Sequence, residues 1–182
     1  MELLVAMAVG GMLLTGLVVA IFQVFGINKE DSAKITALEN IKSAAYSVMK
    51  DIKKADTTNL VSGGAVLDNV ILDWTIWYDN NGNLIPAGNY YRCKYLRSGT
   101  NLLRKYGTYS PSSLPTPPIP DGSFTWEADK IVGRSIAGVE FSRSLVGNII
   151  TMSITASPVG QAQTEERKTY LFYLQDKEAA VR

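Results

Sequence analysis

The sequence predicts an α+β fold in which one long N-terminal helix, hydrophobic and then amphipathic, packs on an antiparallel β-sheet. Three observations carry this. From Glu2 to Ile27 the chain is apolar apart from Glu2 itself, Thr15 and Gln23. Ile35, Leu38, Ile41, Ala45, Val48 and Ile52 then recur at spacings of three and four, which places them on one helical stripe. Beyond residue 56 the apolar period changes to two, and turn residues separate short runs.

Residues 1–27 are long enough to cross a bilayer core as a helix. A secretory signal peptide would have a basic start, a shorter apolar run and a small-residue cleavage site. Here the start is acidic and the run is long, although Val18 and Ala20 form a weak cleavage-like site. A buried helix of a soluble domain is rarely apolar on every face for such a length. A simple anchor fits the length but leaves Glu2 unexplained, because a carboxylate forced into hydrocarbon is costly. The flanks carry no lysine or arginine bias that would set topology.

Residues 28–55 continue the helix as an amphipathic half. Lys34, Glu39, Lys42, Lys50, Asp51 and Lys54 are expected on its solvent faces. Glu30 and Lys34 are spaced for a weak ion pair, as are Glu39 and Lys42. No proline occurs before residue 86, so one helix from about residue 2 to about residue 55 is expected, about 80 Å long at 1.5 Å per residue. Gly10, Gly11, Gly16 and Gly26 are its weak points, each less favourable than alanine by about 1 kcal/mol.

Residues 56–182 read as a globular antiparallel β domain. Asp56–Gly64 is a break rich in turn residues. Leu72, Trp74, Ile76 and Tyr78 then share one strand face, and Asp79–Asn83 is a tight turn centred on Asn-Gly. Tyr91, Cys93 and Tyr95 alternate with Arg92 and Lys94, and a turn at Ser98–Asn101 leads into a strand over Leu102–Tyr106. A second sheet region starts near Ile136. There Val139 and Phe141 alternate with Glu140 and Ser142, and Ile150, Met152, Ile154 and Ala156 alternate with Thr151, Ser153 and Thr155. Thr169–Leu174 supplies the last strand. Residues 109–120 hold five prolines in a surface loop, read as a stiff connector in preference to a glycan-bearing or partner-binding loop.

Composition narrows the function classes. Charged residues make up 19% of the 182 and the net charge is +1, so no bulk attraction to DNA or anionic lipid exists. The absence of histidine removes the commonest general base and the commonest metal ligand. Cys93, the single cysteine, makes no intrachain disulfide and lacks a histidine to activate it, so a core position is expected. Asp79-Asn80-Asn81-Gly82 is similar to the start of a calcium loop, but the twelfth position is Tyr90 where a glutamate is needed, which favours a hairpin turn. Arg92, Lys94, Arg97, Arg104 and Lys105 lie among Tyr90, Tyr91 and Tyr95. Alternation sends the cations and rings mostly to opposite faces, so a solvated sheet face is preferred over a nucleic-acid platform. Trp74, Trp77 and Trp126 are read as core or interface anchors. No catalytic residue, metal ligand set or cofactor is expected, and the chain is not read as an enzyme.

Residues 2–14, Glu-Leu-Leu-Val-Ala-Met-Ala-Val-Gly-Gly-Met-Leu-Leu, resemble the N-terminal segment of type IV pilins and of type II secretion pseudopilins. In that family a peptidase cuts after a glycine that precedes a segment of the form Phe-Thr-Leu-x-Glu-Leu-Leu. Met1-Glu2-Leu3-Leu4 aligns from its fourth residue, so the resemblance implies a leader, glycine and phenylalanine upstream of Met1. It further implies a ladle-shaped pilin-like fold, and a filament in which Glu2 meets the N-terminal amine of a neighbouring subunit. Subunit contacts would run through Glu2, Leu3, Leu4, Val5, Met7, Met12, Leu13, Leu17, Phe22 and Phe25. Ile35, Leu38, Ile41, Ala45, Val48 and Ile52 would pack the helix on the sheet. The implied partners are copies of this chain or related pilins, an inner-membrane assembly platform and a prepilin peptidase, with the membrane as host before assembly. The implied location is the inner membrane first, then a surface filament or a periplasm-spanning pseudopilus. The hairpin order is most similar to larger minor pilins and minor pseudopilins. The alternative is a monomeric membrane-anchored extracytoplasmic binding domain.

Overall fold

The structure, a computed structural model, describes residues 2–146, 148–157 and 165–174, with the side chains of 2–6, 8–9 and 27–30 outside the description. Backbone contacts divide the chain into two compact units, residues 1–36 and 37–182. A single helix, α1 (Glu2–Ile52), supplies the first unit and opens the second. It runs through all four glycines without a break, and at Gly11 the Thr15 hydroxyl donates to the Gly11 carbonyl at 2.8 Å. The helix closes at Ile52, where the amides of Lys53 and Ala55 still donate to the carbonyls of Met49 and Asp51 at 3.1 Å.

In the second unit the chain forms β1 (Thr57–Thr58), β2 (Asn69–Tyr78), β3 (Leu84–Ser98), β4 (Asn101–Tyr109), β5 (Thr125–Trp126) and β6 (Lys130–Gly133). Strands β7 (Ile136–Arg143), β8 (Ile149–Ala156) and β9 (Glu166–Tyr173) follow. The strands form two antiparallel sheets, the second over the region that starts at Ile136. The first has the order β1-β2-β3-β4-β5, with β6 also pairing β4, and the second has the order β7-β8-β9. The fold is thus α+β, with one long N-terminal apolar helix and antiparallel sheets.

Strands β1, β5 and β6 were not legible as elements, because two to four residues give no period to read. The segment read as a break does structural work instead. Ser62 bridges Arg143 and Leu67 bridges Phe141, which ties the link between α1 and β2 to the first strand of the second sheet.

Core and register follow the sequence pattern closely. In β2 the buried positions are Val70, Leu72 and Trp74, opposite Tyr95, Cys93 and Tyr91 of β3. Burial ends there: Ile76 and Tyr78 share the parity but are exposed, with a register shift between them. In β8 Ile150, Met152, Ile154 and Ala156 are all buried. On α1, Ile41, Ala45, Val48 and Ile52 lie in the core with Ala37 and Ala44, and Leu38 is half-buried. Ile35 is a correction to the packing stripe. It is 58% exposed, two residues before the buried stripe begins at Ala37.

Two glycines have local reasons. Gly88 has φ of 70° and lies under Thr75 and Trp77, so a Cβ there would stand 2.9 Å from the Thr75 methyl. At Gly107 the backbone touches the Trp126 ring, and a Cβ would sit 3.0 Å from it.

Candidate functional site

Two features stand out chemically: the apolar half of α1, and the two faces of the first sheet. From Gly11 to Gly26 every residue of α1 is exposed, including 60% of Leu17 and 77% of Met12. Met7, Leu13, Phe22 and Phe25 are exposed to comparable degrees. Glu2, Leu3, Leu4 and Val5 lie on the helical backbone, and their side chains fall outside the description. This helix is long and apolar enough to cross a membrane, and none of its most apolar window is buried by the rest of the chain. Burying one such side chain is worth about 1.5–3 kcal/mol, so the segment calls for an apolar cover.

The inward face of the first sheet holds the main correction. Asp51, expected in solvent, is 2% exposed. Its Oδ2 accepts from Arg104 Nε at 2.6 Å, from the Tyr95 hydroxyl at 2.6 Å and from the Cys93 thiol at 3.1 Å. Arg104 Nη2 donates to Oδ1 at 3.1 Å, which completes a two-pronged contact. The position was readable. Ala44, Val48, Asp51 and Ala55 are spaced by four, three and four, and Leu102, Arg104 and Tyr106 alternate on one face of β4. An acid on the inward stripe of a helix therefore faces a base on the inward face of a strand.

Electrostatics explains why four groups gather there. A carboxylate in the last turn of a helix opposes the helix dipole, so Asp51 adds nothing to helix stability by itself. Burial pushes its carboxyl up, but the Arg104, Tyr95 and Cys93 bonds outweigh burial and hold it below its usual value. Burial raises the Cys93 thiol and the Tyr95 hydroxyl, and the neighbouring Asp51 charge adds to both. Cys93 is therefore a protonated, buried donor to Asp51. The bonds to Asp51 raise Arg104 and keep it charged. Beside it the Tyr106 hydroxyl is pushed up to about 12, mainly by burial.

The sign of the pH effect follows. The depressed Asp51 carboxyl contributes its full stability above the ordinary value of 3.8 and loses it as pH falls through the lower folded value. Urea midpoints of the detergent-solubilised chain should therefore drop as pH is taken below 3.8, and the drop should be smaller in Asp51→Asn. Equal acid slopes for the two proteins would refute this assignment.

The outward face carries Arg92, Lys94 and Lys105, and these are paired rather than simply solvated. Arg92 donates to Asp73 at 2.7 and 2.8 Å, to Asp121 at 2.6 Å and to the Ile119 carbonyl at 3.0 Å. Lys94 also pairs with Asp121, and Lys105 with Asp129 at 3.1 Å. The Arg92 guanidinium lies 4.6 Å from the Phe124 ring centroid, and the Lys94 ammonium 5.1 Å from that of Trp126. These contacts pin the end of the proline-rich loop, Ile119 and the residues after it, onto the sheet. Rings continue across that face through Trp77, Tyr90, Tyr109, Phe124 and Trp126, with centroids 5.8–6.4 Å apart.

Asp79 is a turn residue, as expected. Its carboxylate accepts from the amides of Asn81 and Asn83 at 2.8 Å and from the Asn83 side chain at 3.0 Å. Among the described residues no group of acids, cysteines or histidines is placed to hold a metal ion. Between β1, the β2–β3 surface and residues 117–119 lies a mostly apolar cleft of ≈ 310 Å³. Compared with known proteins, the chain matches no family model, no curated protein and no solved structure.

Proposed function

We propose that this chain is a structural subunit of a type IV pilus-like or type II secretion pseudopilus filament, polymerising through the apolar half of α1. The observation that carries the reading is that residues 11–26 of this half are all exposed. Such a surface needs lipid or other apolar helices around it, and a polymerising subunit uses each in turn. The move from bilayer to filament core gains little from the hydrophobic effect, since both surroundings are apolar, so packing and polar contacts must select the register.

Glu2 is the group for that selection. A buried acid that finds its partner only at one axial offset fixes register, as a single polar residue does in a coiled coil. The neighbour's N-terminal amine is the proposed partner. Assembly would also require the inner-membrane platform and a prepilin peptidase that exposes this amine.

Glu2→Ala should leave membrane insertion and the folded 37–182 unit intact while lowering incorporation into sedimentable filaments by about tenfold or more, the effect of about 1.4 kcal/mol per contact. Normal incorporation of this variant would sink the proposal. The alternative, a monomeric anchored binding domain, predicts the reverse. There, Glu2→Ala is silent and an unrelated apolar segment replaces residues 2–27 without loss.

A further inference from the structure

Both edges of the first sheet are occupied. Beside β2, the Ile71 amide donates to Asn59 Oδ1 at 2.7 Å and the Thr75 amide to Asp56 Oδ2 at 2.9 Å. The Asp56 and Asn59 amides donate in turn to the Asp73 and Ile71 carbonyls at 2.8 and 3.2 Å. On the other side, β5 and β6 pair with β4. In the second sheet, β7 is met by Ser62 and Leu67. Among the described residues, β9 alone is open along its full length.

The ladder shows which of its backbone groups are open. The Leu174 amide donates to the Asn148 carbonyl at 2.7 Å, and the Ser144 amide to the Ile149 carbonyl at 2.9 Å. Even-numbered residues of β8 therefore bond to β9 and odd-numbered ones to β7. In β9 the backbone groups of Glu166, Lys168, Tyr170 and Phe172 face β8, and those of Arg167, Thr169, Leu171 and Tyr173 face outward. Natural sheets blunt such an edge with proline, a bulge or a very short strand. β9 has none of these, since its eight residues pair with β8 in unbroken register and include no proline. The side chains of the four outward residues are also exposed, Leu171 by 62% and Tyr173 by 71%.

The charge distribution selects the partner. Glu166, Arg167 and Lys168 open the strand, and Thr169 to Tyr173 carry no charge. Arg167 also donates to Glu140 at 3.0 Å, which holds its side chain on the exposed face. A parallel copy in register would set each charge beside its own kind, which is unfavourable. An antiparallel copy sets the charged end of one strand against the aromatic end of the other. With Tyr170 on a twofold axis, the four outward residues pair entirely among themselves. Arg167 then stands opposite Tyr173 of the other copy, Lys168 opposite Phe172, and Thr169 opposite Leu171. Cations meet rings, and no like charges are opposed.

We propose that β9 pairs with β9 of a second copy of this chain, antiparallel across a twofold axis at Tyr170, joining two three-stranded sheets into one. A twofold contact closes on itself, so it differs from the contact that would propagate a filament, and it stands whether or not the chain polymerises.

The test uses full-length Thr169→Cys and Leu171→Cys in detergent micelles, singly and mixed, under copper-phenanthroline oxidation. The wild-type chain, whose Cys93 is buried, is the blank. In the proposed register, position 169 of one copy stands opposite 171 of the other with Cα atoms about 5.5 Å apart, within reach of a disulfide. The mixture should give a crosslinked dimer at about tenfold or more the yield of either variant alone. Adding Tyr173→Lys to both proteins sets a cation against Arg167 and should cut that yield severalfold, whereas Tyr173→Glu should raise it. All three positions are exposed, and circular dichroism checks that the fold is kept. No disulfide from the mixture would overturn the proposal. So would single variants that crosslink as well as the mixture, which marks a slipped or parallel pairing, or a yield indifferent to the charge at position 173.

Discussion

Arg104→Met is expected to destabilise the 37–182 unit by about 3–5 kcal/mol, because it strands the Asp51 carboxylate in the core with only the Tyr95 hydroxyl and Cys93 thiol to solvate it. A small domain has about 5–15 kcal/mol in hand, so this one change removes a large part of it. The same reasoning predicts that Asp51→Leu in the Arg104→Met background restores much of the loss, since an apolar pair of similar volume leaves no buried charge behind. Urea denaturation of the detergent-solubilised single and double variants measures both effects. A loss below about 1 kcal/mol for Arg104→Met would mean that water reaches Asp51 and that the buried contact is not as described.

Phe141→Ala is expected to cost about 3–5 kcal/mol, by removing a fully buried ring and leaving a cavity. Phe141 sits on β7 opposite Met152 of β8, and its backbone exchanges two hydrogen bonds with Leu67 at 2.7 and 2.9 Å. Those backbone bonds do not need the ring, so the loss should appear in the denaturation midpoint with the strand pairing retained. Protection of the Phe141 and Leu67 amides from hydrogen exchange would show this. Loss of their protection under native conditions would indicate that the ring, and not the backbone, joins the second sheet to the 56–68 segment.

Most of the fold was legible because its signals are local. The α1 stripe, the β2–β3 turn at Asp79–Asn83 and the alternation through β8 each need only a dozen residues to read. What escaped depends on partners distant in sequence. The charge of Asp51 alone points to solvent, although its spacing from Ala44 and Val48 places it inward, and only Arg104 on a distant strand makes that position tenable. Alternation alone puts Arg92 among the solvated cations, because its partners Asp73 and Asp121 approach from β2 and from beyond the proline loop. The cleft is invisible in the sequence for the same reason: Thr57, Thr75, Tyr90 and Pro117 meet only once three strands and a loop are assembled. Ile35 shows the opposite error, since periodicity extends the buried stripe two residues past the core that covers it.

The contact between Asp51 and Arg104 also sets an order of events during synthesis. The two residues are 53 positions apart, with all of β2 and β3 between them. As the chain leaves the ribosome, the whole of α1 exists before the base that neutralises its last acid. Asp51 therefore has no counter-ion until β4 has been made. The last acid of the helix is thus neutralised by a residue made well after it, on the third of the long strands.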